Sequence, residues 1–289
     1  SSLDLARIQE IAGAYAPMPP DTKMSESLAF SLKAKTEVAA VDTTLALNLT
    51  DAALDFGPQF KKATGIPLSL NIHTKGSMLG SISMDSALLQ IGDGQIQSSF
   101  EIGNGLMAMA NPSPMAIFEG MSSFTLKAQD FPLTSFSTLL PSVAALSPSG
   151  DFSLDLSLAK ESPGPIPVKG TLTLDNIGME LPLSSPVEGE KASTIKLSNA
   201  SGTIALDSDS VTVKPLTLAV ADQKFDIGVR ATKISSFAPS VQGAIKAEKI
   251  NFDSLLASMP AAMRPAALVG GDLQGLQMVF TFDAMASTA

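Results

Sequence analysis

Every second residue of Phe152-Ser-Leu-Asp-Leu-Ser-Leu158 is large and apolar. Successive side chains of a β-strand point to opposite faces, so this pattern predicts a strand with one apolar and one polar face. The same alternation occurs in residues 45–49 and 68–73. Half-buried strands are therefore the dominant local structure that we expect.

The period-two pattern recurs along the whole chain. Further strands are predicted at 28–36, 79–85, 95–102, 122–128, 168–175, 194–198, 201–206, 216–221, 223–231, 241–249 and 276–283. Turn-forming residues separate them, for example Gly92-Asp93-Gly94 and Asp207-Ser208-Asp209. The sequence thus predicts a mainly β fold of about fifteen strands, arranged as a long, curved, mostly antiparallel sheet.

Helical periodicity is confined to residues 3–15, 133–146 and 252–268. Asn251 or Asp253 can cap the third helix, and prolines such as Pro141 make the last two short or broken. The sequence therefore adds a few short α-helices to the sheet.

These helices begin similar stretches, which indicates an internal repeat. An offset of 121 residues places Asp151 on Asp272 and Phe131 on Phe252. We predict a first unit of helix and β-meander over 1–129, a second over 130–249, and the start of a third over 250–289. Because each unit has open strand edges, the units most simply continue into one another as one domain.

Composition excludes several classes of function. Only 16% of the residues are charged, against about 25% in a typical soluble protein. Even so, no apolar run approaches the roughly 18 residues of a membrane-spanning helix. The net charge is −9 and basic residues do not cluster, so nucleic acid is not an expected partner. With no Cys and one His, the chain lacks the residues for thiol catalysis or for Cys or multi-His metal sites. We predict a protein that is not an enzyme and has no cofactor, catalytic residue or metal.

The remaining polar motifs have ordinary interpretations. His73 alternates onto a polar strand face and is predicted to be a solvated residue. Asp207 and Asp209 are interpreted as a hairpin turn rather than a metal-binding pair. The Met-rich stretch over 107–121 is interpreted as core filling.

The apolar strand faces must be covered by something. Either two sheets close into a dry sandwich, or one sheet curls into a trough whose lining faces another apolar molecule, and composition does not choose between them. A trough would be able to cradle acyl chains. Its predicted lining comprises Leu45, Leu47, Leu49, Leu68, Leu70, Ile72, Phe152, Leu154, Leu156, Leu158, Leu172 and Leu174.

Several runs resemble the C-terminal, periplasmic region of the AsmA-like family of bacterial envelope proteins, a group of repeating β-groove proteins that includes the TamB type. They begin with Phe131-Pro-Leu-Thr-Ser-Phe, Ser149-Gly-Asp-Phe-Ser-Leu, Val168-Lys-Gly-Thr-Leu-Thr-Leu, Leu197-Ser-Asn-Ala-Ser-Gly and Leu47-Asn-Leu-Thr-Asp-Ala. The resemblance implies a β-groove held at the inner membrane by an N-terminal helix and projecting into the periplasm. It also implies passage of phospholipid toward the outer membrane, and it supplies no catalytic residues.

The expected function is therefore passive binding and transfer of phospholipid, or of another acyl-chain lipid, in outer-membrane homeostasis. The chain begins Ser1-Ser2-Leu3-Asp4, and we expect a piece of a longer protein whose membrane attachment lies in a segment outside it. The alternative is a structural or assembly module that recruits an outer-membrane or other envelope protein through exposed strand edges.

Overall fold

The computed structural model describes residues 2–7, 9–10, 22–37, 40–77, 80–103, 120–159, 167–183, 193–236, 238–251, 253–254 and 272–283. Strands account for 74% of the structure and helices for 8%, which confirms the mainly β prediction. Fourteen strands form one open antiparallel sheet, and three short strands form a small second sheet.

The bounds of the first elements are β1 Ser2–Asp4, β2 Thr22–Ser25, β3 Ser27–Glu37, β4 Ala40–Asn48, β5 Ala53–Phe56, β6 Lys61–Lys62, β7 Leu68–Ser77, β8 Ile82–Ile91, β9 Gly94–Ile102, β10 Met121–Pro132, α1 Thr134–Ser137 and α2 Pro141–Ala144. Those of the later elements are β11 Ser149–Ala159, β12 Val168–Leu183, β13 Ser193–Asp207, β14 Ser210–Val220, β15 Gln223–Thr232, β16 Ser240–Asn251 and β17 Asp272–Asp283. The order of strands in the large sheet is β1-β3-β4-β7-β8-β9-β10-β11-β12-β13-β14-β15-β16-β17, and the small sheet comprises β2-β5-β6.

The chain divides into two compact units. The first comprises Ser1–Ala144 and Leu154–Val168, and the second comprises Ala145–Ser153 and Lys169–Ala289. The repeat units inferred from the 121-residue offset stay a prediction.

The helices differ in part from those expected. Ser2–Asp4 is a strand, and the first helical turn begins only at Leu5, where the Asp4 carboxylate accepts hydrogen bonds from the amides of Ala6 and Arg7 at 2.9 and 3.3 Å. The predicted helix over 133–146 is two short helices, because Pro141 starts a new one. Of the third, 253–254 are helical and Asn251 caps the amide of Ser254 at 2.7 Å, while 255–268 lie outside the described residues.

Part of the core of the first unit lies beside the β8–β9 turn, where the Phe131 ring packs over Gly94. Phe131 is fully buried and stacks on Phe136 with the ring centroids 4.9 Å apart. Leu139 and Ala52 are also buried, and the Leu139 carbonyl accepts a 2.8 Å hydrogen bond from the amide of Lys61. This bond joins the small sheet to the helix pair.

A buried cation holds the small sheet in place. Lys62 is 2% exposed, and its ammonium donates hydrogen bonds to the carbonyls of Thr50, Ala52 and Ala63 at 2.9, 2.7 and 3.1 Å. Burial lowers the pKa of Lys62, and the nearby carboxylate of Asp51 partly offsets this effect. Three carbonyl acceptors satisfy the three donors of the ammonium, which makes its burial tolerable.

Gly94 leaves the space that the Phe131 ring occupies. A Cβ at this position would lie 2.5 Å from the ring, which cannot withdraw because it is buried against Phe136. We expect Gly94→Ala to lower the free energy of unfolding by about 1–3 kcal/mol. Urea unfolding measures this, with Gly103→Ala as the control because the nearest atom to its Cβ would be 4.0 Å away. Equal midpoints for the two variants would contradict the packing described.

Candidate functional site

The strand register brings predicted lining residues of the first unit into cross-strand rows. Leu45 pairs with Leu32 on one side and with Ile72 on the other. Leu47 pairs with Phe30 and Leu70 in the same way. Directly opposed residues of neighbouring strands lie on one face of the sheet, so the rows form a continuous apolar surface. We call this surface the first apolar face, comprising Phe30, Leu32, Leu45, Leu47, Leu70, Ile72, Ala87, Leu89 and Ile96.

The first apolar face is open over strands β3, β4 and β7. None of the residues in these three strands is buried. Leu32 is 60% exposed, and Leu45, Leu47, Leu70 and Ile72 are half-buried. Because β4 is hydrogen-bonded to a strand on each side, the exposure of its leucines arises from the face and not from an edge. A second sheet packed on this face would bury it.

Burial increases toward the other strands of this unit. Ala87 on β8, Ala128 on β10 and Ile102 on β9 are 8%, 6% and 6% exposed. The exposed part of the face thus lies next to β3 and the buried part lies near β8–β10.

The second unit carries a similar surface. Leu172 pairs with Ile204, which pairs with Val213, which pairs with Val229. A parallel row links Leu206, Val211, Ala231 and Val241. All eight residues of this second apolar face are half-buried. The buried side chains of the same unit lie elsewhere, at Ile177, Ala200, Ala219, Ala247 and Ile250.

The other predicted lining residues are placed as follows. Leu68 pairs with Ile91, and Leu49 follows the end of β4 and donates its amide to the Leu68 carbonyl at 2.8 Å. Phe152, Leu154, Leu156 and Leu158 alternate along β11, where the first three are half-buried and Leu158 is 6% exposed. Leu174 pairs with Gly202. Their assignment as a lipid lining stays a prediction.

His73 lies on the polar face as expected, but it has partners that the sequence did not reveal. Its Nε2 lies 3.0 Å from an Asp42 carboxylate oxygen, and its Nδ1 lies 3.6 Å from Asp85. Lys75 contacts the same Asp85 at 2.7 Å. The hydrogen bond from Lys75 lowers the pKa of Asp85, with a smaller contribution from Ser83, and Asp85 in turn raises the pKa of Lys75.

Asp209 lies in the turn of the β13–β14 hairpin, and Asp207 is the last residue of the strand before it, as the sequence predicted. Asp207 and Ser210 pair at the end of the β13–β14 hairpin. The Asp209 side chain accepts hydrogen bonds from the amide and the hydroxyl of Ser235, and these bonds lower its pKa. Among the residues that the structure describes, no three His, Cys, Asp or Glu side chains are grouped so that they could hold a metal ion.

No protein-family model, curated protein or solved structure matches this chain. No helix in the described ranges has the length and apolar character needed to cross a membrane. Most of the Met-rich stretch, 104–119, lies outside those ranges. What the described residues offer chemically is two extended apolar faces whose opposite sides are polar.

Proposed function

We propose that this chain is a periplasmic lipid-binding and lipid-transfer segment of an AsmA-like protein anchored to the bacterial inner membrane. Phospholipid, or another acyl-chain lipid, binds on the apolar faces of the sheet and moves along them in phospholipid transport and outer-membrane homeostasis. The family resemblance in the sequence and the open apolar faces support this proposal together.

The observation that carries the proposal is the partial exposure of β4. This strand has a hydrogen-bonded neighbour on each side and presents Leu45 and Leu47, yet none of its residues is buried. Apolar rows of this extent that stay partly exposed are unfavourable in water unless an apolar molecule covers them. A lipid chain is such a molecule.

The energy of hydrocarbon burial is sufficient for binding. Burial of a sixteen-carbon chain at about 0.8 kcal/mol per methylene contributes on the order of 12 kcal/mol, which offsets much of the cost of removing it from a bilayer. One row of the first apolar face crosses five neighbouring strands without a polar side chain. It consists of Phe30, Leu47, Leu70, Leu89 and Ile96. A chain sliding along them exchanges one apolar contact for another, so the mechanism is passive and the headgroup stays in water.

Native mass spectrometry tests the proposal. We expect the purified chain, after incubation with a phospholipid extract, to be recovered with bound phospholipid. Phospholipase treatment of the released ligand and tandem mass spectrometry then identify it. Recovery of lipid-free protein alone would contradict the proposal.

The assembly module remains the second candidate because of β17. This twelve-residue strand is the last in the sheet order, and Met278 and Val279 on it are 48% and 71% exposed. A long strand edge of this kind is suited to strand addition by another β-protein. Association with an unlipidated β-strand peptide and no affinity for lipid would favour this second function.

A further inference from the structure

We propose that one acyl chain of a phospholipid lies across the strands of the first unit, from β3 to β9, and that the apolar surface at β9 sets the longest chain that fits. The chain follows a single row of the first apolar face, which we call the five-strand row. It comprises Phe30, Leu47, Leu70, Leu89 and Ile96. This inference rests on the proposed lipid binding and adds the orientation and the chain length of the ligand.

The five-strand row is long enough for a whole acyl chain. The strands β3, β4, β7, β8 and β9 are consecutive neighbours in the sheet. Neighbouring strands lie about 4.8 Å apart, so the row extends over about 19 Å. One chain of a membrane lipid spans half of the hydrocarbon core of a bilayer, which is about 15 Å. Such a chain therefore fits on the row with its methyl end at β9 and its polar end in water beside β3.

The apolar surface is shorter along the strands than across them. Leu45, Leu47 and Leu49 extend over about 13 Å at about 3.3 Å per residue. The next residue on the same face of β4 is Thr43, which pairs directly with Thr74 of β7. A chain placed lengthwise would remove these hydroxyl groups from water, which is unfavourable. A chain on the five-strand row covers apolar side chains only.

The accessible apolar surface narrows to one row between β8 and β9. Leu89 and Ile96 pair with each other and are both half-buried. Each of the other described β8–β9 pairs on this face includes a buried side chain, namely Ile91, Ala87, Met84 or Ile102. One acyl chain fits this width. At β4 and β7 the neighbouring row of Leu45 and Ile72 is half-buried too, so a second chain has room only on that side.

The five-strand row also has a defined end. Ile96 pairs with Ala128 of β10, which is buried. A methyl group that has reached Ile96 finds no accessible side chain at the next position of the row. Carbon atoms beyond this point must leave the sheet or stay in water at the polar end. The row therefore limits the length of hydrocarbon that it stabilises.

The dependence of affinity on chain length tests this orientation. Lysophosphatidylcholines with saturated chains of eight to sixteen carbons are titrated below their micelle concentrations, and bound lipid is measured by native mass spectrometry. We expect the affinity of the unmodified chain to rise about fourfold for each added methylene, the fold-change that corresponds to burial of one CH₂ group.

Ile96→Asp should shorten the row by one strand. We expect unchanged affinity for the eight-carbon chain and at least about tenfold weaker affinity for the sixteen-carbon chain, because the longer chain would remove water from the new carboxylate. The matched control is Gln97→Asp, which places the same charge at an exposed position on the opposite face of β9 and should bind like the unmodified chain. Circular dichroism checks folding, and Ile96→Ser repeats the test with a smaller, uncharged side chain.

Thr43→Val distinguishes the two orientations. It removes the hydroxyl that interrupts the apolar face of β4, so it would tighten binding of a lengthwise chain and should leave a crosswise chain unaffected. Tighter binding in Thr43→Val would overturn the inference. So would an equal effect of Ile96→Asp on short and long chains, or no effect on either, although lipid binding itself would stand. Failure of the unmodified chain to bind any of these lipids would overturn the proposed function as well.

Discussion

Replacing Leu45 by Asp is expected to abolish phospholipid loading on the first apolar face while the chain stays folded. Leu45 lies in the middle of the first apolar face, between Leu32 and Ile72, and is half-buried. Water solvates the new carboxylate as long as no lipid covers the face, so the free energy of unfolding changes little. Hydrocarbon on the face would remove that water at a cost of several kcal/mol, which corresponds to a loss of affinity of more than a hundredfold.

The matched control for Leu45→Asp is Thr44→Asp. It introduces the same charge one residue earlier, where the side chain is exposed on the opposite face of β4 and pairs with His73 across the sheet. Bound lipid is counted by native mass spectrometry and folding is followed by circular dichroism. If Leu45→Asp unfolds the chain and Thr44→Asp does not, the face is sealed and the lipid proposal fails. Equal lipid loading in both variants would contradict the proposed lining.

Alternation alone was sufficient to predict most strands, but not how they pair. The leucines of 45–49 and 68–73 define two amphipathic strands whichever neighbours they have. The register that places Leu45 opposite Ile72 depends on the turns and on the other strands, and a slip of two residues preserves the same apolar pattern. The pattern also does not indicate whether the resulting face is open or sealed, because both arrangements require the same leucines.

β-Bulges explain why some strands have bounds that differ from the predicted ones. The predicted strands 194–198 and 201–206 form one strand, β13. The apolar pattern is interrupted between them because Asn199 adopts a left-handed φ of 53° and the ladder shifts between Ser198 and Ser201. The strand predicted at 79–85 is Ile82–Ile91, and its pairing with β9 shifts between Met84 and Ala87. An extra residue in a strand breaks strict alternation, so the pattern predicts either an interruption or the wrong bounds.

The contacts of His73 depend on the same register. Its two carboxylate neighbours come from β4 and β8, and the ladder between β7 and β8 shifts at His73 and Thr74. Sequence spacing places His73 on the polar face but does not indicate which acidic residues will lie beside it. The cavity that Lys35, Asp42 and Lys75 line on the same polar face was missed for the same reason.

Gly150→Ala is expected to destabilise the second unit by about 3 kcal/mol or more. Gly150 has a φ of +84°, a conformation that costs an L-residue about 1–2 kcal/mol. A Cβ there would also lie 2.6 Å from the carbonyl oxygen of Asp175 and closer still to that of Asn176. These are backbone atoms of β12, so relief requires the strand itself to move, which adds about 1–3 kcal/mol.

Gly228→Ala is the control that isolates these two causes. Gly228 lies within β15 of the same unit, its φ is not in the left-handed region, and nothing lies within 4 Å of its Cβ position. We expect its unfolding free energy to change by less than about 0.5 kcal/mol. Denaturant unfolding of both variants measures the difference, and Gly150→Ser, which shares the strain and the clash, should match Gly150→Ala. If Gly150→Ala proved as stable as Gly228→Ala, the Ser149-Gly150-Asp151 motif would not be required for the approach of β11 to β12.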